Sequence, residues 1–361
     1  MATAGAGVSL QDLQKACAPK QFYAPDPTER TATVGGTIAT NASGSRSFRY
    51  GSTRVHVLSL KAAFIDGHVR TFQKGEAIDF DVAQLPIPRT TKFTAGYPLR
   101  PGMDWIDLLI GSEGTLAVVI EAELRLLPAP DDLFSGVVFF RTDAEALEAV
   151  GAWRPLPSLR MLEYFDANSL TLLRRRFPEV PVEAHAALLI EQEGSDLDAL
   201  EERIGDDSWF AISDQDRERF RQFRHALPEM VNDTMRQRGF LKLGSDYAVP
   251  LDRNREMLEF YHRRLEGREY VIFGHIGDAH VHVNLLPTSE EQFNSGKDVM
   301  LDLARKAVEL GGTVSAEHGL GKRKAHLLEL QYTPEQVDAM KAVKRRLDPN
   351  WLLGRGNLFP Y

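Results

Sequence analysis

The stretch that decides the fold is TATVGGTIATNASGSRSFRY, from Thr31 to Tyr50. Gly35, Gly36 and Gly44 remove side chains where a backbone turns tightly or approaches another group closely. The polar side chains that offer hydroxyl and amide hydrogen bonds between them belong to Thr37, Thr40, Asn41 and Ser43. The spacing matches neither G-x-G-x-x-G nor G-x-x-x-x-G-K-[ST], the two common phosphate-binding fingerprints. Two interpretations stay open at this point, a glycine-rich turn between two strands and a loop that presses against a large flat cofactor.

Composition narrows the class of protein. The chain has 361 residues, 43% of them apolar and 26% charged, as in an ordinary globular protein of two or three domains. A net charge of -8 argues against nucleic acid or an anionic membrane as the main partner. Cys17 is the only cysteine, which excludes an internal disulfide and a cysteine-ligated metal cluster. No secretory leader or apolar span is present, so we expect a cytoplasmic protein with no integral membrane segment.

Turn residues divide the chain into two parts. Val55 to Ile65 and His68 to Phe72 flank Asp66-Gly67, a pattern that predicts a β-hairpin. A later strand is predicted to end at Pro128, where a proline-rich linker favours a domain boundary. Beyond it, strands and helices alternate. The helical pattern from Asp214 to Arg236 contains Pro228, which we expect to kink or end the helix.

The densest group of histidines lies in FGHIGDAHVHVNLLP, from Phe273 to Pro287. A turn at Gly277-Asp278 would let two antiparallel strands bring His275 and His282 to one side of a sheet. His280 and His282, two apart on one strand, form the rival pair. Two histidines with a carboxylate suit zinc or a similar divalent ion. The alternative is a pair of strands with buried, hydrogen-bonded histidines.

A candidate carboxylate lies in GTVSAEHGLG, from Gly312 to Gly321. Glu317 and His318 stand there between small residues, so one could face a metal and the other a substrate. The alternative is a loop whose Glu317 caps the next helix.

Four motifs occur here in one order: the glycine-rich stretch, GSEG at Gly111, GHIGDAHVHVN and SAEHGLG. In that order they resemble the FAD-linked D-2-hydroxyacid dehydrogenase family, which includes D-lactate dehydrogenases, D-2-hydroxyglutarate dehydrogenase and the flavin subunit of glycolate oxidase. The resemblance implies an α+β chain of the vanillyl-alcohol-oxidase fold. Residues 1–128 would be the second part of an FAD-binding domain. Residues 129–361 would be an antiparallel-sheet substrate domain, with 313–361 returning toward the flavin.

The same resemblance implies roles for individual residues. Contacts to non-covalently bound FAD would come from Pro25, Asp26, Gly35, Gly36, Thr37, Thr40, Asn41, Gly44, Gly111, Glu113, Gly114 and Val119. His275, His282 and Glu317 would bind a divalent metal, zinc in the first instance. Arg224 and Asn284 would bind the substrate, and His318 would be the general base. For Arg224 the alternative is an exposed helix arginine, since a single arginine is weak evidence of a site.

The implied reaction is the oxidation of a D-2-hydroxy acid to the 2-oxo acid, with a separate electron acceptor for the reduced flavin. The resemblance also allows a homodimer. Relatives carry a further subdomain with an RGGGT-like pyrophosphate loop, for which no match precedes Ser9, so we expect an N-terminally incomplete chain. Gly354 to Asn357 and Pro228 also depart from the family pattern. Two other functions stay open, an aldose or alditol oxidase, which would not need the histidine pair, and a non-catalytic fragment or interaction subunit without FAD.

Overall fold

The computed structural model describes residues 1–194, 198–201, 203–211 and 213–359. The chain divides into two compact units. Residues 1–129 and 311–361 form unit 1, and residues 130–310 form unit 2. Unit 1 is therefore built from two segments that are distant in sequence.

The elements follow in chain order. The strands are β1 (Ala2–Gly5), β2 (Gln21–Phe22), β3 (Val57–Ala63), β4 (Val69–Gln73), β5 (Val118–Leu124), β6 (Leu127–Pro128), β7 (Leu133–Phe140), β8 (Leu159–Asp166), β9 (Ala186–Glu193), β10 (Trp209–Phe210), β11 (Leu243–Gly244), β12 (Tyr270–His275) and β13 (His280–Leu285). The α-helices are α1 (Leu10–Cys17), α2 (Val34–Ala39), α3 (Ser47–Tyr50), α4 (Thr53–His56), α5 (Trp105–Leu109), α6 (Asp143–Trp153), α7 (Ala167–Leu173), α8 (Asp198–Glu201), α9 (Asp214–Arg238), α10 (Asn254–Leu265), α11 (Glu290–Glu309), α12 (Leu328–Gln331) and α13 (Pro334–Leu347). Short 3-10 helices cover Leu251–Arg253, Ile276–Asp278 and Ala325–Leu327. Within the described ranges, no helix combines the length and apolarity that crossing a membrane requires.

Unit 1 contains an antiparallel sheet with the strand order β1-β5-β3-β4. The hairpin predicted around Asp66-Gly67 is confirmed, because β3 and β4 pair from Ala63 opposite Val69. Gly67 has a φ of 86°, the left-handed conformation that glycine adopts without a steric penalty. Leu60 and Phe72 lie opposite each other in the register and are fully buried, so this face of the sheet contributes to the core.

The glycine-rich stretch contains a helix, so its interpretation as a turn between two strands is wrong. Helix α2 starts after Thr33, whose side chain accepts a hydrogen bond of 3.1 Å from the N–H of Gly36. This cap satisfies one of the N–H groups that every helix start leaves without a helical partner. A Cβ atom on Gly35 would lie 2.7 Å from the Cβ of Ala6, so the glycine allows the helix to pack closely against the segment after β1.

Unit 2 contains a larger antiparallel sheet with the strand order β10-β7-β9-β8-β12-β13-β11. Its β8 strand is buried along its whole length, as expected of a strand with neighbours on both sides. The turn predicted at Gly277-Asp278 is confirmed, because a 3-10 helix there joins β12 to β13 and places His275 opposite His280.

Helix α9 continues through Pro228 and ends only at Arg238, so the helix does not end at the proline. Buried side chains recur along it at helical spacing and join the core of unit 2. They are Phe220, Phe223, Leu227, Val231 and Met235. Proline has no N–H, so position 228 cannot donate to the carbonyl of Arg224. Packing of the apolar face therefore outweighs this lost hydrogen bond.

Replacing Gly44 by alanine is expected to destabilise unit 1. The new Cβ would overlap the backbone carbonyl of Asp26, which cannot move aside as a flexible side chain could. We expect the free energy of unfolding to fall by about 1–3 kcal/mol, measured by urea denaturation with tryptophan fluorescence. Gly7→Ala is the matched control, since a Cβ there meets no described atom within 4 Å. Equal stabilities of the two variants would contradict the packing argument.

Candidate functional site

The hairpin of β12 and β13 brings three histidines of unit 2 together. One ring nitrogen from each of His275, His280 and His282 lies within 4.8 Å of those of the other two. The ring centroids of His280 and His282 are 4.6 Å apart, and that of His275 lies 5.3 and 5.4 Å from them. His275 and His280 are direct cross-strand partners, and His282 follows two residues later, so all three side chains share one face.

The hydrogen bonds of the rings distinguish the three histidines. Nδ1 of His275 lies 2.6 Å from Oε1 of Glu163, and Nδ1 of His282 lies 3.2 Å from the carbonyl oxygen of Ser245. Carbonyl and carboxylate oxygens accept hydrogen bonds, so Nδ1–H donates in both rings, and Nε2 carries the lone pair in the neutral imidazole. Nε2 of His280 instead lies 3.1 Å from Oδ1 of Asp246, and both side chains are fully buried. This favours His275 and His282 as the metal-binding pair over His280, whose Nε2 faces Asp246.

These rings suit a divalent metal through the chemistry of their donors. A neutral imidazole nitrogen with its lone pair is a preferred ligand of zinc, and a second hydrogen bond at the other nitrogen orients such rings. His275 and His282 meet both conditions. Of the other residues expected at the site, Glu317 and His318 belong to unit 1.

Arg224 and Asn284, the residues expected to bind substrate, both lie in unit 2. Nε of Arg224 donates to Oε2 of Glu163 at 2.9 Å, and 14% of the arginine side chain is exposed. It is therefore a largely buried, ion-paired residue and not the exposed helix arginine of the alternative interpretation. Asn284 is buried on β13 opposite Gly244, where a Cβ would lie 3.1 Å from its Oδ1.

In unit 1, Glu317 links the SAEHGLG loop to the glycine-rich stretch. Its Oε2 accepts hydrogen bonds from Nζ of Lys92 at 2.9 Å and from Oγ of Ser43 at 2.8 Å. Lys92 is itself buried and also donates to the carbonyl oxygen of Gly44 at 3.0 Å. Glu317 thus has an ion-pair partner within unit 1. Its neighbour His318 is 54% exposed.

Glu113 ties the GSEG loop to the segment that follows His318. Its carboxylate accepts hydrogen bonds of 2.7 Å from the N–H groups of Leu320 and Gly321. Burial raises the pKa of Glu113 to about 7, although the two N–H donors act in the opposite direction. The residue adopts a φ of 54°, and a Cβ on Gly319 would lie 2.7 Å from its Oε1, so both segments are shaped around this contact.

Other side chains expected to contact FAD also bind their own loop. The carboxylate of Asp26 accepts from Oγ of Ser45 and Nη1 of Arg46, each at 2.6 Å. The hydroxyls of Thr37 and Thr40 donate to carbonyls of α2, and Oδ1 of Asn41 accepts from Oγ of Ser52 and the N–H of Arg54. These bonds hold the loop in shape. They leave backbone accessible at Gly36, which is exposed, and open space beside Gly114, where a Cβ meets no described atom within 4 Å. Accessible backbone without side chains suits contact with a flat ring system.

Two family profiles match the chain. The FAD binding domain profile covers residues 1–73, and the profile of the C-terminal domain of FAD linked oxidases covers residues 130–358. The chain belongs to the FAD-linked oxidase family. The α+β fold with antiparallel sheets expected from the motifs is thereby confirmed for this FAD-linked oxidase.

Curated relatives span nearly the whole FAD-linked oxidase chain. A D-lactate dehydrogenase of Archaeoglobus fulgidus is 32% identical over 375 residues, which are 99% of this chain and 77% of that protein. The glycolate oxidase subunit GlcD of Bacillus subtilis is 29% identical, over 99% of this chain and 75% of the relative. A D-2-hydroxyglutarate dehydrogenase of Xanthomonas citri pv. viticola is 28% identical, over 99% of this chain and 75% of the relative. The chain also superimposes on an alkyldihydroxyacetonephosphate synthase with a TM-score of 0.64 and 15% identity. The superposition covers 98% of this chain and 63% of that solved chain. At this identity it shows a likeness of fold alone.

Three residues with charged side chains next to the predicted ones escaped the sequence analysis: Lys92, Glu163 and Asp246. Glu163 had a readable signal, since a single acid in the apolar run Met161 to Phe165 is unusual for a buried strand. Lys92 had little readable signal in the sequence, because it lies in a long connection rich in proline and glycine. The partner of a buried charge comes from a distant part of the chain, so the local sequence pattern does not reveal which residue it is.

Lys92→Met is expected to destabilise unit 1 by about 3–5 kcal/mol, because the carboxylate of Glu317 would stay buried without its cation. Urea denaturation of the purified chain measures the loss. Lys20→Met, at an exposed position, is the control and should behave like the wild type. A Lys92→Met variant as stable as this control would show that the ion pair is not needed.

Proposed function

We propose that the chain catalyses FAD-dependent oxidation of a D-2-hydroxy acid to the 2-oxo acid, with the assistance of a divalent metal. Membership of the FAD-linked oxidase family supports the redox chemistry. The observation that carries the finer proposal is the pair of imidazoles, His275 and His282, whose Nδ1 atoms are engaged so that both Nε2 atoms suit a metal. Relatives named D-lactate dehydrogenase and D-2-hydroxyglutarate dehydrogenase support the substrate class.

The residues proposed to bind FAD belong to unit 1, and the two histidines proposed to bind the metal belong to unit 2. Residues 1–128 would contribute the glycine-rich and GSEG loops to non-covalently bound FAD, which supplies the hydride acceptor. His275 and His282 would hold zinc or a similar ion, which acidifies a bound hydroxyl group. Glu317 as a third ligand stays a prediction from the sequence; its carboxylate pairs with Nζ of Lys92 at 2.9 Å.

The residues of the chain would handle the substrate's charge and proton. His318 is assigned as the general base that takes the hydroxyl proton, since an imidazole exchanges protons near neutral pH. Arg224 would bind the substrate carboxylate, for which a guanidinium offers paired N–H donors. Asn284 would donate to a second substrate oxygen. Electrons must then leave the reduced cofactor, so the proposal includes an electron acceptor. It is also compatible with a homodimer.

The purified chain is expected to become yellow with FAD and to be bleached by a D-2-hydroxy acid without air. Absorbance in the flavin bands, at roughly 350–500 nm, measures both changes. Treatment with EDTA should abolish the bleaching, and added zinc should restore it, because the metal polarises the substrate hydroxyl. Protein that stays colourless after FAD is added would refute the proposed function. Bleaching that survives EDTA would refute only the metal's part.

His318→Ala is expected to lower the rate of flavin reduction by about 10²–10⁴-fold, since the proton acceptor is removed. FAD binding should remain, as measured by flavin fluorescence titration. His326→Ala, another exposed histidine of unit 1, is the matched control and should reduce flavin at the wild-type rate. A wild-type rate for His318→Ala would remove this residue from the mechanism.

A further inference from the structure

Glu163 contacts two residues of unit 2 that have different proposed roles. His275 is a proposed metal ligand, and Arg224 is proposed to bind the substrate carboxylate. Its Oε1 lies 2.6 Å from Nδ1 of His275, and its Oε2 accepts from Nε of Arg224 at 2.9 Å. Strand pairing explains how it reaches His275. Tyr164 and Phe165 of β8 pair with Gly274 and Phe273 of β12, so Glu163 comes next to His275 in the same register.

The position of Glu163 is costly for a charged residue. The glutamate is 3% exposed in a strand that is buried along its whole length. A buried carboxylate loses its hydration and is tolerated only when ion pairs and hydrogen bonds replace it. An apolar residue would suit the strand as well, and often better. The contacts that justify the charge are those with His275 and Arg224.

We propose that Glu163 is a positioning residue shared by the metal site and the substrate-carboxylate site, an inference that rests on the proposed function. Accepting the Nδ1–H of His275 keeps the lone pair on Nε2 and holds the ring in one orientation. Binding Nε of Arg224 fixes the plane of the guanidinium, and its terminal nitrogens then present a fixed pair of donors to a carboxylate. One carboxylate thereby sets the distance between the two groups that the substrate must meet.

Zinc affinity of the metal-stripped full-length chain tests this role. Competition with a chromophoric chelator gives the Kd without any need for turnover. We expect Glu163→Gln to bind zinc about 10–100-fold more weakly, the usual effect of removing a carboxylate behind a ligating histidine. Glu191→Gln is the matched control, because Glu191 is also a buried acid of the same sheet, paired at 2.8 Å with Arg160, and should keep the wild-type Kd. An unchanged Kd in Glu163→Gln would overturn the proposal.

The tautomer of His275 provides a second measurement that needs no metal. Long-range proton-nitrogen spectra of ¹⁵N-histidine-labelled protein, with His275 assigned by its loss in His275→Gln, report which ring nitrogen carries hydrogen. We expect Nδ1–H in the wild type and a shift toward Nε2–H in Glu163→Gln. Nε2–H in the wild type would overturn the proposal even if the variant fails to fold.

The two measurements separate this proposal from the proposed function. A wild-type chain that binds no zinc would refute the metal's part in that function. The tautomer would then decide alone: a change between wild type and Glu163→Gln supports Glu163 as the residue that orients His275, and identical tautomers refute it. A larger Kd for zinc in Arg224→Lys than in the wild type would further support a shared carboxylate. Lysine lacks the Nε donor that holds Glu163 in the wild type.

Discussion

A carboxylate that is buried must be balanced by a cation or by N–H donors, and this constraint shapes the candidate site residues in each unit. In unit 1, Glu317 is held by Lys92, and Glu113 by two backbone N–H groups of the segment after His318. In unit 2, Glu163 pairs with Arg224 and His275. Since every one of these partners is distant in sequence, meeting the constraint brings separate motifs together within its unit.

The same constraint separates residues that shape a loop from those that meet a ligand. The resemblance predicts flavin contacts for Asp26, Asn41 and Glu113, and in the structure their side chains bind neighbouring backbone or side-chain groups. For an FAD-linked oxidase this division makes physical sense, because a flat cofactor needs a rigid backbone surface and a loop becomes rigid only through internal bonds. In unit 2, Nε2 of His280 likewise lies 3.1 Å from the carboxylate of Asp246.

Local patterns predicted best where the deciding interactions are local. The hairpin at Asp66-Gly67 and the turn at Gly277-Asp278 depend on neighbouring residues, and the structure has both. The helix in the glycine-rich stretch was missed because Gly35 and Gly36 have low helix propensity, which the Thr33 cap and packing on Ala6 overcome. Helix α9 likewise passes Pro228 because its apolar face is buried.

The sequence by itself determined the family, the α+β class and the three histidines of the hairpin, since motifs, turn residues and side-chain alternation are written in residue order. Only the tertiary structure decided which ring nitrogens of His275 and His282 are engaged, and that Lys92 and Glu163 are the partners of Glu317 and Arg224. The physical reason is that hydrogen bonds and ion pairs depend on distance and direction between atoms. Those quantities exist only once the chain has folded.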